Sequence, residues 1–413
     1  MSLLRDHDFA KLWGGLTVSR LGSAVATVVT PLIAVQELDA DALTVSLLTA
    51  AAWLPWLLIG LPAGAWVDRV PKRPVLLACD AAGALLVASI PLTAWLGHLT
   101  VIHLLVVALL TGVAEVFSEI AYTGYLPAMF DADRLIQANA LANGSDSAAR
   151  IAGPALGGAL AAAAGAVTGL IIDAASFAVS FAGLLAIRRP ERTVARVPRQ
   201  GIAREIRAGM GWLARDRYLR SIMVHGAVSN LALNGYGAIT VVFLVREVGV
   251  STGTVGLLLS ASGLGGVAAA SAVPFLVRRL GAARVLVTVK AAAGCASLLL
   301  PFTGPGAGLI VFAAGSALVA AFIVAGNVIT GGFRQAYVPS ELLGRVLTAM
   351  QFVNYGTIPV GAVLGGVLAT AYGSRVSMVV MTVTYALAGL IIVLGPFRGR
   401  RDLPSGKALS TVR

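Results

Sequence analysis

The chain has 413 residues, of which 58% are apolar and only 12% are charged. Ordinary globular domains carry about 25% charged residues, so this composition excludes a water-soluble enzyme. The net charge of +12 does not indicate a nucleic-acid partner, because the Lys and Arg residues lie in short segments between apolar runs.

The apolar runs are long enough to cross a bilayer as helices, which takes about 20 residues each. They are too continuous for the alternating strands of a membrane barrel. The fifth is the most polar, and the first is too long for a cleavable signal peptide. We therefore predict an all-α membrane protein of about twelve transmembrane helices, at residues 12–36, 44–66, 75–97, 101–124, 139–164, 167–188, 220–245, 253–277, 284–303, 306–331, 347–372 and 375–397.

The Lys and Arg residues predict the topology through the positive-inside rule. With the N-terminus in the cytoplasm, 26 of the 31 fall on the cytoplasmic face. Arg246 and Arg375 fall on the opposite face, and Arg20, Arg150 and Lys290 lie within spans. This bias predicts that both termini are cytoplasmic and that the protein lies in the cytoplasmic (inner) membrane of the cell.

Two motifs recur at an offset of about 210 residues, which is six predicted helices. A glycine pattern of the fifth span returns in the eleventh, and Tyr125-Leu-Pro at the end of the fourth returns as Tyr337-Val-Pro at the end of the tenth. Two parallel six-helix repeats are a transporter architecture, with the substrate near the membrane midplane between them. We predict six-helix bundles at 1–189 and 218–397, a basic cytoplasmic linker at 190–217 and a cytoplasmic tail at 398–413.

Part of the linker, residues 201–212, is either a basic amphipathic helix on the inner membrane surface or an ordinary solvated linker. The sequence leaves these two interpretations equal.

The loop after the second span contains Gly64, Asp68, Arg69, Lys72 and Arg73. This pattern resembles the loop signature of the major facilitator superfamily, except that Pro71 stands where the family usually has Gly. The resemblance implies that the glycine permits close helix packing and that the acid and bases form a switchable cytoplasmic latch. It also implies a contact between Asp68 and the start of the eleventh span, near Arg345.

The fifth span contains Gly153, Pro154, Gly157 and Gly158. This looks like the antiporter signature of the same superfamily, although Ala149 replaces its first glycine. Small residues allow two helices to approach closely in lipid. The resemblance favours efflux, and mere packing is the alternative.

Further stretches extend the resemblance over nearly the whole chain, to the branch that contains macrolide and enterobactin exporters. They include residues 8–13, Leu54-Pro55 and residues 344–346. Asp80 and Asp173 stand where that branch often has Asp, which implies a structural or gating role.

Ionisable residues within spans are costly unless paired or wetted, so they are the main functional candidates. Glu115 and Glu119 share one face of the fourth span, and Arg20 lies at about their depth. Two like carboxylates on one face do not both ionise easily, so one can carry a proton. We hypothesise that Glu119 pairs with Arg20 and that Glu115 carries the proton. A structural salt bridge without a role in transport is the alternative.

Other polar residues have simpler interpretations. Asp146 and Arg150 are four residues apart and are expected to neutralise each other, and His225 is expected to be a satisfied structural histidine rather than a second titrating group. No nucleotide-binding loop or metal-ligand spacing occurs. We therefore expect no cofactor, no metal and a monomer in the lipid bilayer whose partners are a small-molecule substrate and protons.

The predicted function is proton-coupled export of an amphipathic small molecule such as an antibiotic or siderophore. One alternative is an uptake permease or facilitator for a polar metabolite, for which amides such as Asn230 and Asn234 would line the cavity. A second is a membrane scaffold or receptor that does not transport.

The topology is testable with reporter fusions. Reporters at about residue 200 and at the C-terminus should both be cytoplasmic, because the inner segments carry the arginines. A reporter at Asp39 should be external. An external signal from the region of residue 200 would overturn the predicted helix count.

Overall fold

A computed structural model describes residues 3–188, 191 and 210–404, and this part of the chain is helical without a β-strand. It forms two compact units. Unit 1 falls within Met1–Pro198 and Leu244–Ser260, and unit 2 within Arg199–Phe243 and Ala261–Arg413. Residues 201–209 of the predicted amphipathic helix, most of the predicted linker and residues 405–413 of the predicted tail lie outside the described residues.

Unit 1 begins with seven helices. They are α1 (His7–Gln36), α2 (Ala42–Leu58), α3 (Gly60–Val67), α4 (Lys72–Trp95), α5 (Val101–Met129), α6 (Ala132–Ala164) and α7 (Ala166–Leu185). The prediction of one continuous helix over 44–66 is wrong, because Ile59 separates α2 from α3. Pro62 lacks the N–H that would continue the α2 ladder, and it is tolerated in the first turn of α3.

Residues 210–215 are helical, and six longer helices follow. They are α8 (Arg217–Val242), α9 (Thr252–Leu280), α10 (Ala282–Ser297), α11 (Leu309–Tyr337), α12 (Ser340–Tyr372) and α13 (Ser374–Val393). A π-helical turn, Phe243–Glu247, follows α8, and residues 244–247 of this turn and the first residues of α9 belong to unit 1. The helix predicted over 284–303 ends at Ser297, because Pro301 cannot donate to a continued ladder.

Ten of the described helices are long and apolar enough to cross a membrane, and α2 is a shorter apolar helix of 17 residues. The helix α6 has 33 residues but is more polar, as its sequence predicts. Every predicted span is thus mainly helical in the described part of the chain, and the all-α fold class is confirmed.

The repeated glycines occupy equivalent packing positions in the two units. In unit 1, a Cβ built on Gly157 of α6 would lie 2.9 Å from the carbonyl oxygen of Val25 on α1. In unit 2, a Cβ on Gly361 or Gly365 of α12 would overlap a backbone carbonyl of α8. Each unit therefore brings the first helix of its repeat into close backbone contact with the fifth.

The repeat extends to the caps of the first helices, which the sequence analysis missed. The carboxylate of Asp6 accepts backbone N–H groups of the first turn of α1 at 3.2 and 3.3 Å. The carboxylate of Asp216 accepts those of α8, both at 2.9 Å. Tyr337 also donates its hydroxyl to Asp216 at 2.7 Å, whereas the hydroxyl of its repeat counterpart Tyr125 is buried without a partner among the described residues.

The packing of α6 on α1 can be tested with one matched pair of variants. Gly157→Val should lower the free energy of unfolding by about 1–3 kcal/mol, the usual cost of overpacking. Gly144→Val lies on the same helix, where a Cβ meets nothing within 4 Å, and should fold like the wild type. Thermal unfolding in detergent measures both, and equal stability of the two variants would contradict the close contact.

Candidate functional site

The most concentrated charge cluster of unit 1 is built around Arg20 of α1. Its Nη2 donates to Glu119 Oε2 of α5 at 3.0 Å, and its Nη1 donates to Asp146 Oδ1 of α6 at 3.0 Å. The guanidinium thus uses two nitrogens to hold acids from two different helices. Because its side chain is only 25% exposed, these charge-assisted bonds are stronger than those of a surface pair.

Asp146 also bonds to a second arginine. Its Oδ2 accepts from Arg150 Nε at 3.1 Å, as the spacing of four residues predicts. The Arg150 side chain is 75% exposed, so this second pair contributes little stability. Sequence reasoning missed the bond from Arg20 to Asp146, because the local spacing already gave Asp146 a partner and only the packing of α1 against α6 supplies the other.

Glu115 lies one turn of α5 from Glu119 and is exposed. It makes no hydrogen bond or ion pair with another described residue, although it interacts electrostatically with Arg20 and Asp146. With every group of the cluster ionised, three carboxylates face two guanidinium groups. Glu115 is therefore the carboxylate of the cluster that neither arginine holds in a direct ion pair, although Arg20 and Arg150 both attract it.

Asp80 of α4 and Asp173 of α7 lie in the packing between helices, and both interact electrostatically with Glu115. They are 7% and 2% exposed. Ser180 hydrogen-bonds to Asp80, whose Oδ2 has no partner among the described residues. The hydroxyl of Ser176 donates to the backbone oxygen of Asp173 at 2.7 Å and reaches its Oδ1 at 3.4 Å.

The bases of the loop signature bond to helix ends within unit 1. Lys72 Nζ donates to the carbonyl oxygen of Val67, the last residue of α3, at 2.9 Å and to that of Val70 in the following turn at 2.7 Å. Arg73 donates to two carbonyls at the end of α7, at 3.1 and 3.0 Å. A cation at a helix C-terminus satisfies carbonyls that lack helical partners and opposes the negative end of the dipole. Both side chains therefore fix the cytoplasmic end predicted for this unit.

Two further features of the same loop are a cap at the start of α4 and the open surroundings of Gly64. Glu191 accepts the backbone N–H groups of Lys72 at 2.8 and 2.9 Å and of Arg73 at 3.3 Å, and so caps the start of α4. The close packing that the family resemblance implies at Gly64 is absent, since a Cβ there would meet no described atom within 4 Å. The contact of Asp68 with the region of Arg345, and any role of Arg69 in it, stay predictions.

The glycines of the α6 motif pack closely in unit 1. Gly153 lies against Ala24 of α1, and Gly158 lies against Gly256 at the start of α9. Pro154 stands inside the helix between them. The motif thus forms a small-residue surface, as its composition predicts.

In unit 2, the polar residues named from sequence bond within the helix packing. His225 is buried and donates from Nδ1 to the carbonyl oxygen of Ala388 at 2.9 Å. Asn234 donates its amide to the backbone oxygen of Asn230 at 2.8 Å. Among the described residues, no group of three or more His, Cys, Asp or Glu side chains could hold a metal ion.

The double pairing of Arg20 corrects one expectation. From the sequence, Glu119→Gln would leave Arg20 unpaired and would harm folding. The structure gives Arg20 a second acid, so Glu119→Gln and Asp146→Asn should each lower Tm only modestly. The double variant should lose more stability than the two single changes add up to, by about 0.5–3 kcal/mol.

A triple variant supplies the control for this cycle. Arg20→Met added to the two neutralised acids removes the isolated cation and should restore folding, because the penalty comes from an unpaired buried charge. Thermal unfolding of the purified proteins measures all four. Strict additivity of the two single changes would contradict the shared ion pair.

Comparisons with known proteins agree with this fold. Residues 1–407 match the family model described as transmembrane secretion effector, of the major facilitator superfamily. The multidrug efflux pump Tap of Mycolicibacterium fortuitum is 24% identical over 404 residues, which cover 95% of this chain and 97% of that protein.

Two solved structures share the fold. A bacterial homologue of the iron transporter ferroportin in its inward-facing state superposes with a TM-score of 0.78 at 17% identity, over 97% of this chain and 100% of the other. The nucleoside transporter NupG superposes with a TM-score of 0.71 at 12% identity, over 94% and 98%. The chain belongs to the transmembrane secretion effector family of the major facilitator superfamily, and it is a multi-pass membrane transporter rather than an enzyme.

Proposed function

We propose that this transporter exports an amphipathic small molecule in exchange for protons and that Glu115 carries the proton. The proposal rests on a difference among the three carboxylates, of which two bind Arg20 and the third does not. Glu119 and Asp146 hold Arg20 at 3.0 Å each, and Glu115 is left exposed without an ion-pair partner among the described residues.

The electrostatics of the cluster explain the exchange. When Glu115 is ionised, the cluster carries one excess negative charge, and a proton or a cationic group of a substrate can neutralise it. A proton and a cationic substrate cannot bind the same carboxylate at once, so binding of the substrate releases the proton and binding of the proton releases the substrate. Arg20, held by its two acids, keeps its neighbourhood polar and fixes α1, α5 and α6 around the exchange site.

Three further observations support export. The relative Tap is described as a multidrug efflux pump, and the family description refers to secretion. The glycines of α6 form the close contacts expected of the antiporter-like motif. On this basis the substrate class is an antibiotic, a siderophore or a related amphipathic product.

The remaining assignments belong to the same proposal. Asp68, Arg69 and Arg345 act as a cytoplasmic latch, and Asp80 and Asp173 steady the helix packing of unit 1. The protein acts as a monomer in the inner membrane, with both termini in the cytoplasm. The predicted bundles at 1–189 and 218–397 are the two moving halves.

The coupling role is tested in everted membrane vesicles loaded with a pH-sensitive dye and challenged with erythromycin or ethidium. The wild type should dequench the dye as substrate enters in exchange for protons. Glu115→Gln mimics the protonated carboxyl, so it should still bind substrate, without dependence on pH, and should move no protons. The matched control is Glu119→Gln, which lies one turn away and should keep proton-coupled transport.

Proton-coupled transport by Glu115→Gln at the wild-type rate would refute the assignment. Proton movement in the same direction as the substrate would instead indicate the alternative of uptake. That alternative relied on free amides, and the amide of Asn234 already bonds within its own helix.

A further inference from the structure

Lys290 of α10 is a buried cation that the proposed exchange cycle does not use. Its side chain is 8% exposed. A Cβ built on Gly326 of α11 would lie 2.8 Å from both Cε and Nζ of Lys290, so the ammonium sits directly against the glycine surface of α11. Gly389 of α13 packs against the backbone oxygen of Lys290. The Lys290 side chain therefore reaches from α10 to the surface of α11 within unit 2.

No protein carboxylate compensates this charge in the described part of the chain. Lys290 makes no ion pair or hydrogen bond with another described residue, and His225, with which it interacts electrostatically, supplies no negative charge. Between residues 217 and 401 the only acidic residues in the sequence are Glu247 and Glu341. Glu247 comes after the C-terminal end of α8, and Glu341 is the second residue of α12. Both are therefore at helix ends, whereas Lys290 lies eight residues, about 12 Å, from the start of α10.

An ammonium without a counter-charge is costly within a membrane protein. In unit 1 the comparable cation, Arg20, has two carboxylates. We infer that Lys290 is an anion-binding site and that a small monovalent inorganic anion, chloride in a cell, supplies the missing charge. The anion is small because Lys290 is only 8% exposed, which leaves little room beside it for a bulky organic anion.

The inference does not depend on export or on Glu115, and its test uses no transported substrate. Thermal unfolding of the purified protein is followed as chloride replaces gluconate at constant ionic strength. A ligand that binds only the folded state raises Tm with its concentration, so chloride should raise the wild-type Tm in a saturable manner.

Lys290→Met keeps most of the length of the side chain and removes its charge. Its Tm should be the same in both salts and, in gluconate, at or above that of the wild type, because an uncompensated charge has been removed. The matched control is Lys11→Met. Lys11 donates to a carbonyl at an exposed position of unit 1, so this variant should keep the chloride response.

Crystals of the unchanged protein grown in bromide provide a second measurement that needs no variant. An anomalous scattering peak beside Lys290 Nζ is expected. The inference is overturned if the wild-type Tm is equal in chloride and gluconate or if the chloride response persists in Lys290→Met. It is also overturned if the bromide crystals show no anomalous peak beside Lys290 Nζ.

Discussion

A guanidinium placed among membrane-spanning helices must be met by negative charge, and Arg20 imposes this condition on unit 1. Its two bonds, each 3.0 Å long, draw Glu119 of α5 and Asp146 of α6 toward α1. Close backbone packing of α6 on α1 at Gly157 makes that approach possible. Once both acids are engaged, Glu115 is the carboxylate of the cluster without an ion-pair partner among the described residues, and the proposed coupling depends on this third carboxylate.

The two units share packing but differ in charge. Both bring the first helix of the repeat against the fifth through glycines, and both cap that first helix with aspartate. The acids within spans lie in unit 1, whereas the described spans of unit 2 contain the buried cation Lys290. One repeated packing pattern thus carries two electrostatic environments, which we assign to proton exchange in unit 1 and to anion binding in unit 2.

The spans were predictable because continuous apolar runs leave few alternatives in a membrane, and the repeat was predictable from the spacing of its glycines and of the Tyr-x-Pro motif. The break at Ile59 was missed because Pro62 acts through a single lost hydrogen bond inside an apolar run. The bond from Arg20 to Asp146 was missed because it joins residues 126 positions apart. The capping by Lys72 and Arg73 was missed for a similar reason, since the carbonyls that they bind are recognisable only after the chain has folded.

The central claim is that Glu115 holds the exchangeable proton while Glu119 and Asp146 stay committed to Arg20. Infrared difference spectroscopy of substrate binding measures this most directly, because a protonated carboxyl has its own carbonyl band. The wild type and Glu119→Gln should both lose such a band when erythromycin or ethidium binds, and Glu115→Gln should lack it. A band lost at wild-type amplitude in Glu115→Gln would contradict the account.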